Sequence, residues 1–258
     1  TSFAKRFLET YNINANVSIN VKEAISEHAG LGSGTQLALA VATALARLFN
    51  VSASTKELSL AMGRMQRTGV GTAIFEQGGF VVDGGKTIQN GTVISESLPP
   101  LIFGQPFPDD WKFVVAIPDA KKGLAKTEEK NAFAKASPMP KEIVGNICWL
   151  ILMKLLPSLV DHDIKGFGDA LTTIQVVIGD CFADIQGGTF SSLAAKETID
   201  FMKTCGAYGV GQSSWGPAVY GLVQGQAQAK LLQSQVESFL KDNGVGQVFI
   251  ASPDNCGA

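Results

Sequence analysis

Glu27-His28-Ala29-Gly30-Leu31-Gly32-Ser33-Gly34-Thr35 runs directly into Gln36–Leu48, an Ala/Leu/Val-rich stretch with helical period. Gly30, Gly32 and Gly34 alternate with Leu31 and Ser33. Lacking a Cβ, such positions take left-handed dihedrals and let a ligand approach the backbone. The helix that follows opens with unpaired N–H groups and the positive end of its dipole. A Gly/Ser/Thr loop feeding an apolar helix therefore reads as an anion site, with phosphate or pyrophosphate as its expected occupant. A purely structural tight turn is the alternative.

Working outward, the 258 residues suit one large domain or two small ones, each with its own core. An apolar share of 45% and a charged share of 17% describe a globular chain. The net charge of −2, with no basic run, argues against a nucleic-acid surface. The longest apolar runs, Ile147 to Leu156 and Gln36 to Leu45, are too short or too Ala-rich to span a bilayer, so no membrane partner is expected. Cys148, Cys181, Cys205 and Cys256 are scattered, without a CxxC pair and with only two histidines in the chain. That excludes a zinc site and a disulfide framework and points to reduced thiols in a cytoplasmic protein. The 28 glycines exceed the average share of about 7%, and they cluster, which suggests several ligand-facing loops.

Along the chain, Ser2 to Tyr11 reads as a short helix, and Ala15, Val17, Ile19 and Val21 alternate with polar residues as a half-buried strand. The helix after the loop carries Leu37, Val41, Leu45 and Leu48 on one stripe. Ser54 and Glu57 fit a capping box that opens a helix to about Gln66. Arg67-Thr68-Gly69-Val70-Gly71-Thr72 is a second Gly/Thr-rich turn, followed by an expected hairpin of Ala73–Glu76 and Phe80–Val82 around Gln77-Gly78-Gly79. Trp111 to Ile117 reads as a strand, and the Lys/Glu-rich stretch from Ala120 to Lys130 as a loop over a site. Ser137-Pro138-Met139-Pro140 is the best linker, placing domains at 1–136 and 137–258. Helices are expected over Lys141–Leu156, Ile164–Ile178, Leu193–Cys205 and Ala227–Lys241, with strands at Ala218–Val223 and Val248–Ala251. Gly206 to Pro217 forms a third small-residue loop. Strands and helices alternate without a strict βαβ rhythm, so the fold class is α+β.

Three such loops resemble the GHMP superfamily of small-molecule kinases, and the strings EHAGLGSGTQLALAVATALARL, RTGVGTAIFEQGGFVVDGG and GVGQSSWGP resemble its β-ribofuranosylaminobenzene 5′-phosphate synthase branch. The resemblance implies a two-domain fold, ribosomal-S5-like in its N-terminal half and ferredoxin-like in its C-terminal half. It implies a glycosyltransferase that joins phosphoribosyl pyrophosphate to 4-hydroxybenzoate or 4-aminobenzoate. Pyrophosphate and CO2 leave, magnesium accompanies the pyrophosphate, and the product feeds methanopterin-type cofactor synthesis. A homodimer is a further expectation from the family. The kinase branch places Pro two residues before the first loop glycine and Ser-Ser-Ala after the second; here His28 and Ser33-Gly34-Thr35 stand there. The synthase pattern also begins with an extra strand and a Gly-rich segment upstream of Thr1, so the N-terminal domain is expected to lack its first strands.

That chemistry asks for a stabilised pyrophosphate and a shielded oxocarbenium-like centre. Gly30, Gly32, Ser33, Gly34 and Thr35 are assigned to the phosphates through backbone N–H groups and a hydroxyl. Arg67, with Gly69, Gly71 and Thr72, is assigned to the 5′-phosphate or the benzoate carboxylate, because a guanidinium binds oxyanions bidentately. His28 is placed as acid/base or pyrophosphate contact, with a structural donor as its alternative. Glu129 is assigned a catalytic role, Glu128 the magnesium, and Lys122 a phosphate, against the alternative of solvated side chains. Gly209, Gly211, Gln212, Ser213 and Ser214 are expected to face the same site. Asp83 reads as a turn residue, His162 as solvated and Trp215 as a core aromatic. Two rival functions are an ATP-dependent small-molecule kinase and a non-catalytic phosphate-binding homologue.

Overall fold

A computed structural model describes residues 2–65, 68–89, 92–94, 99–118, 139–243 and 246–258. It divides into two compact units, described in turn. The first comprises Thr1–Ile25, Gly32–Phe107 and Asp254–Ala258; the second comprises Ser26–Leu31 and Pro108–Pro253. The boundary thus falls at Phe107/Pro108, ahead of the expected 136/137 linker, because the strand Trp111–Pro118 is central to the second unit's sheet.

In the first unit, α1 (Ser2–Thr10), α2 (Ser33–Leu48), α3 (Thr55–Ala61) and α4 (Val70–Gln77) precede β1 (Phe80–Asp83), β2 (Ile88–Gln89), β3 (Thr92–Val93) and β4 (Leu101–Gln105). β1 pairs antiparallel with β4, and β2 with β3. The core gathers Phe7 of α1, Leu39, Val41, Ala42 and Leu45 of α2, Leu58 of α3 and Phe75 of α4. A fully buried side chain such as Leu39 contributes about 2 kcal/mol through removal of its apolar surface from water. α2 buries Val41 and Leu45 of the expected stripe together with Ala38, Leu39, Ala42 and Ala46, while Leu48 is exposed; the small alanines let α1 and α4 come close. The capping box holds as expected, with Ser54 N–H donating to Glu57 Oε2 at 2.7 Å and Glu57 N–H to Ser54 Oγ at 3.2 Å.

Two readings are corrected here. Ala73–Glu76 lies in α4 and forms no hairpin arm, because a carboxylate from β1 caps that helix. Residues 15–21 keep the strand's alternation, with Ala15, Val17 and Ile19 half-buried and Asn16, Ser18 and Asn20 exposed, yet they pair with no strand among the described residues. Alternation fixes which face packs inward; a strand also needs a neighbour for its backbone.

The second unit is built on a four-stranded antiparallel sheet ordered β6-β7-β5-β8: β5 (Trp111–Pro118), β6 (Gly209–Gln212), β7 (Val219–Gln224) and β8 (Gly246–Ala251). Its helices are α5 (Lys141–Leu150), α6 (Leu156–Val160), α7 (Ile164–Cys181), α8 (Ala183–Gln186), α9 (Leu193–Thr204) and α10 (Gly225–Asn243). Helices between β5 and β6, a tight β6–β7 connection and α10 before β8 give the β-α-β-β-α-β order of a ferredoxin-like half. Val114, Val210, Val219 and Val223 of the sheet pack on Ile199 and Met202 of α9 and on Leu232, Val236 and Leu240 of α10.

A π-helical turn, Ile151–Leu155, joins α5 to α6 in one helical run, Lys141–Val160. Counting only Ile147 to Leu156 understated it: the run has 20 residues, 18 of them in a window of mean hydropathy 1.9, enough by length and composition to cross a membrane. Leu150, Leu155 and Leu159 are buried, whereas Trp149, Leu152, Met153 and Val160 are exposed.

Candidate functional site

The decisive loop straddles the unit boundary, and its two halves are built differently. In the second unit, His28 (φ 57°) and Gly30 (φ 84°) adopt left-handed backbone. Ser213 Oγ donates to the Gly30 carbonyl at 2.9 Å, and Ala218 N–H donates to the Ala29 carbonyl at 3.2 Å. A Cβ at Gly30 would overlap the Ser213 carbonyl oxygen, so only glycine suits the place. The Ser213 hydroxyl, expected at the substrate, is thus engaged with the Gly30 carbonyl, and His28 itself is exposed.

In the first unit, Gly32 (φ 70°) is the N-cap of α2 and offers no side chain to it. Its carbonyl accepts from both Thr35 N–H at 3.0 Å and Gln36 N–H at 3.3 Å. The N–H groups of Ser33 and Gly34 have no protein acceptor among the described residues. They leave the positive end of a 16-residue helix open to an anion.

α4 starts beside it and is closed. Gln36 Nε2 donates to the Gly71 carbonyl at 3.0 Å, and Gly71 lies against the Thr35 side chain, where a Cβ would stand 3.1 Å from Thr35 Cγ2. Asp83 Oδ2 accepts from Gly69 N–H at 2.7 Å, from Val70 N–H at 3.3 Å and from the Thr68 hydroxyl, while its Oδ1 accepts from Gly85 N–H at 3.0 Å. Thr72 is buried and shares a hydrogen bond with Ser59 Oγ at 2.7 Å. Gly69 and Thr72, expected at the substrate, thus have internal partners, the Asp83 carboxylate for Gly69 and the Ser59 hydroxyl for Thr72. The reading of Asp83 as a turn residue understates it: Asp83 is the anion of the second turn.

Gly209–Gln212, expected as loop, is the buried strand β6. Gly209 lies against Gly168 of α7, and Gln212 N–H donates to Gln175 Oε1 at 3.1 Å. The Gln212 side chain takes the Ser191 N–H at 2.7 Å and donates to the Ser214 carbonyl at 2.9 Å, holding the turn that carries Ser213. Trp215 stands edge-on to Phe182 at 5.3 Å, and His162 is exposed. Arg67, Lys122, Glu128 and Glu129 lie outside the described residues. Among the described residues no three His, Cys, Asp or Glu side chains gather as a metal site, so no residue described here is assigned to magnesium. All four thiols are free.

Arg64 escaped the sequence reading. Its Nη2 donates to the Gly34 carbonyl at 2.6 Å, and its guanidinium lies 5.3 Å from the Phe3 ring centre. The signal was present as a second arginine three residues before Arg67, in Gly63-Arg64-Met65-Gln66-Arg67.

Comparisons with known proteins follow this division. Residues 1–83 match the GHMP kinases N terminal domain and residues 155–242 match the GHMP kinases C terminal family. Over 225 residues the chain is 35% identical to beta-ribofuranosylphenol 5′-phosphate synthase of Methanothermobacter thermautotrophicus, covering 85% of this chain and 67% of that protein. It is 38% identical to the protein of that name from Archaeoglobus fulgidus, covering 81% of this chain and 65% of that protein. The chain therefore spans about two thirds of these relatives' length. Among solved structures, homoserine kinase from Cytophaga hutchinsonii aligns with a TM-score of 0.66 at 17% identity, over 99% of this chain and 76% of that one. L. major mevalonate kinase in complex with R-mevalonate aligns with a TM-score of 0.68 at 14% identity, over 99% and 76%. At these identities the structural likeness speaks for fold alone.

Proposed function

Because the chain belongs to the β-ribofuranosylphenol 5′-phosphate synthase family, on the two-domain GHMP-kinase fold, we propose that it is a pentosyltransferase joining phosphoribosyl pyrophosphate to 4-hydroxybenzoate. The observation that carries this reading is the 35% identity to a synthase of that name along 85% of the chain. The open first turn of α2 supports it as a place for phosphate oxygens. The phenol in the relatives' name favours a hydroxyl over an amino group on the acceptor, so 4-aminobenzoate is the second choice.

In the proposed reaction, the ring carbon that bears the carboxylate, para to the hydroxyl, attacks the ribosyl anomeric carbon. The carbon–oxygen bond to pyrophosphate breaks and its electron pair leaves with pyrophosphate. The ring–carboxylate bond then breaks, its electrons restore the aromatic ring, and CO2 departs. No covalent nucleophile is needed. Ser33 and Gly34 N–H groups would receive negative charge that grows on the departing oxygens; one such preorganised donor is worth about 3 kcal/mol. The Thr35 hydroxyl, next along the same turn, and the exposed His28 are the further side chains assigned to the donor. Magnesium would travel with the pyrophosphate and screen its charge. The free thiols suit a cytoplasmic setting, and a product for methanopterin-type cofactor synthesis and a homodimer complete the reading.

The test is release of CO2 from carboxyl-labelled 4-hydroxybenzoate with phosphoribosyl pyrophosphate and magnesium. Release that requires the pyrophosphate donor is the expected result. Consumption of ATP with a small alcohol, and no CO2, would replace this reading with a kinase.

A further inference from the structure

In the second unit, the helical run Lys141–Val160 is apolar on two opposite sides. Its inner side, with Leu150, Leu155 and Leu159, is buried, and the run packs on α7, which itself lies on β6. Its outer side carries Gly145, Cys148, Trp149, Leu152, Met153 and Val160 at helical spacing. A helix apolar all round is ordinarily enclosed. Here Trp149 is 50% exposed, Leu152 59%, Met153 63% and Val160 56%, so no described side chain covers the outer side. A Cβ on Gly145 would meet nothing within 4 Å, which leaves an open seat on the same stripe. Lys154 Nζ stands 5.4 Å from the Trp149 ring centre and steadies that ring at the middle of the patch.

Area, charge and shape say what fits there. At those exposures the four large side chains leave on the order of 500 Å² bare, near the upper limit for an apolar patch on a monomer. A stable interface buries about 800 Å² per partner, of which about 60% is apolar, so this stripe supplies the apolar share of one. Charge along the run and its exit is balanced, Lys141, Lys154 and Lys165 against Glu142, Asp161 and Asp163. A helix that lies on an anionic membrane carries a polar face rich in Lys and Arg, which this one lacks. A helix that spans a bilayer gives its sides to lipid, whereas this run spends its inner side on α7. Along the stripe, small Gly145 and Cys148 precede bulky Leu152 and Met153. Two such stripes laid antiparallel set the small end of each against the bulky end of the other, the self-complementarity that a two-fold contact requires.

We propose that the outer side of Lys141–Val160 is the docking surface for a second copy of this chain, the two runs crossing antiparallel about a two-fold axis between Trp149 and Leu152. Each Trp149 then packs on the partner's Leu152, and each Cys148 leaves room for the partner's Met153. Trp149 is the central anchor, as large aromatics are at most interfaces. The surface goes beyond the proposed reaction and rests on no step of it.

The experiment is sedimentation equilibrium of the full chain, wild type and Leu152→Glu, with helix content followed by circular dichroism. Wild type should sediment at twice the 27.2 kDa of one chain. Leu152→Glu should keep its helix content and weaken the dimer at least tenfold. If Leu152→Glu does not fold, Gly145→Leu decides in its place: it favours the helix, fills the open seat and should weaken the dimer by a similar factor. A monomeric wild type overturns the surface, and so does a dimer that the deciding variant leaves as tight as wild type. A monomeric wild type that sediments with vesicles of phosphatidylcholine and phosphatidylglycerol, while Leu152→Glu does not, overturns it in favour of lipid. The reading is of mass alone, so a dimer without CO2 release keeps the surface and sinks the phosphoribosyl reading, and CO2 release by a monomer does the reverse.

Discussion

Ser213 Oγ donates a hydrogen bond to the Gly30 carbonyl at 2.9 Å although 183 residues separate them. Both residues belong to the second unit, where the bond fastens the Gly30 turn to the turn that leaves β6.

Gly30 should accept no side chain. Gly30→Ala places a Cβ on the Ser213 carbonyl at a φ of 84° and should cost at least about 2 kcal/mol. Ser213→Ala removes one partly buried hydrogen bond and should cost about 1 kcal/mol. Urea unfolding measures both. In the CO2-release assay Gly30→Ala should lose far more activity than Ser213→Ala; equal losses would mean that the hydroxyl, and not the turn shape, matters.

Asp83 should matter to stability more than to substrate affinity. Asp83→Ala exposes the N–H groups of Gly69 and Val70 and strands the Thr68 hydroxyl, at a cost of about 1–2 kcal/mol. The melting temperature should fall while the KM for phosphoribosyl pyrophosphate stays within about twofold in the CO2-release assay. A large rise in KM without a change in melting would instead place Asp83 at the substrate.

The β6 contact should tolerate no added volume. A Cβ on Gly168 would overlap the Tyr208 carbonyl oxygen and stand 2.8 Å from Gly209 N, and both obstacles are backbone. Gly168→Ala should cost about 3 kcal/mol, more than a helix-favouring Gly→Ala exchange returns. A variant as stable as wild type, by urea midpoint, would show that α7 can shift away from β6.

Acid should loosen the start of α3. The Ser54 N–H first, and the Ser54 hydroxyl second, hold the Glu57 carboxyl below its ordinary value of 4.5. The unfolded chain then takes up the proton more readily than the folded one. The contribution is therefore full above pH 4.5 and is lost as the pH falls toward the lower folded value. Glu57→Gln keeps an acceptor without the titration, so its melting temperature should fall less than that of wild type over this window. Parallel melting curves for the two proteins would remove the capping box from the acid response.

The sequence by itself determined the helices whose apolar period and caps are local: α1, α7, α9 and α10 stand near their expected bounds, and α3 starts at its Ser54–Glu57 box as expected but ends at Ala61, short of the expected Gln66. It also determined the left-handed glycine turns at Gly30 and Gly32 ahead of α2, because glycine spacing before a helix is a local property, and the fold class through the family strings. The tertiary structure decided what depends on partners distant in the chain. Residues 15–21 carry a strand's pattern but find no strand to pair with among the described residues, and Gly209–Gln212 looks like a loop until α7 and β7 enclose it. It separated two similar Gly/Thr turns by one carboxylate: Asp83 closes α4 from 14 residues beyond Gly69, while α2 stays open. It also brought Arg6 and Arg64 together across α3, a pairing that no spacing announces, since side-chain charges meet where packing puts the helices.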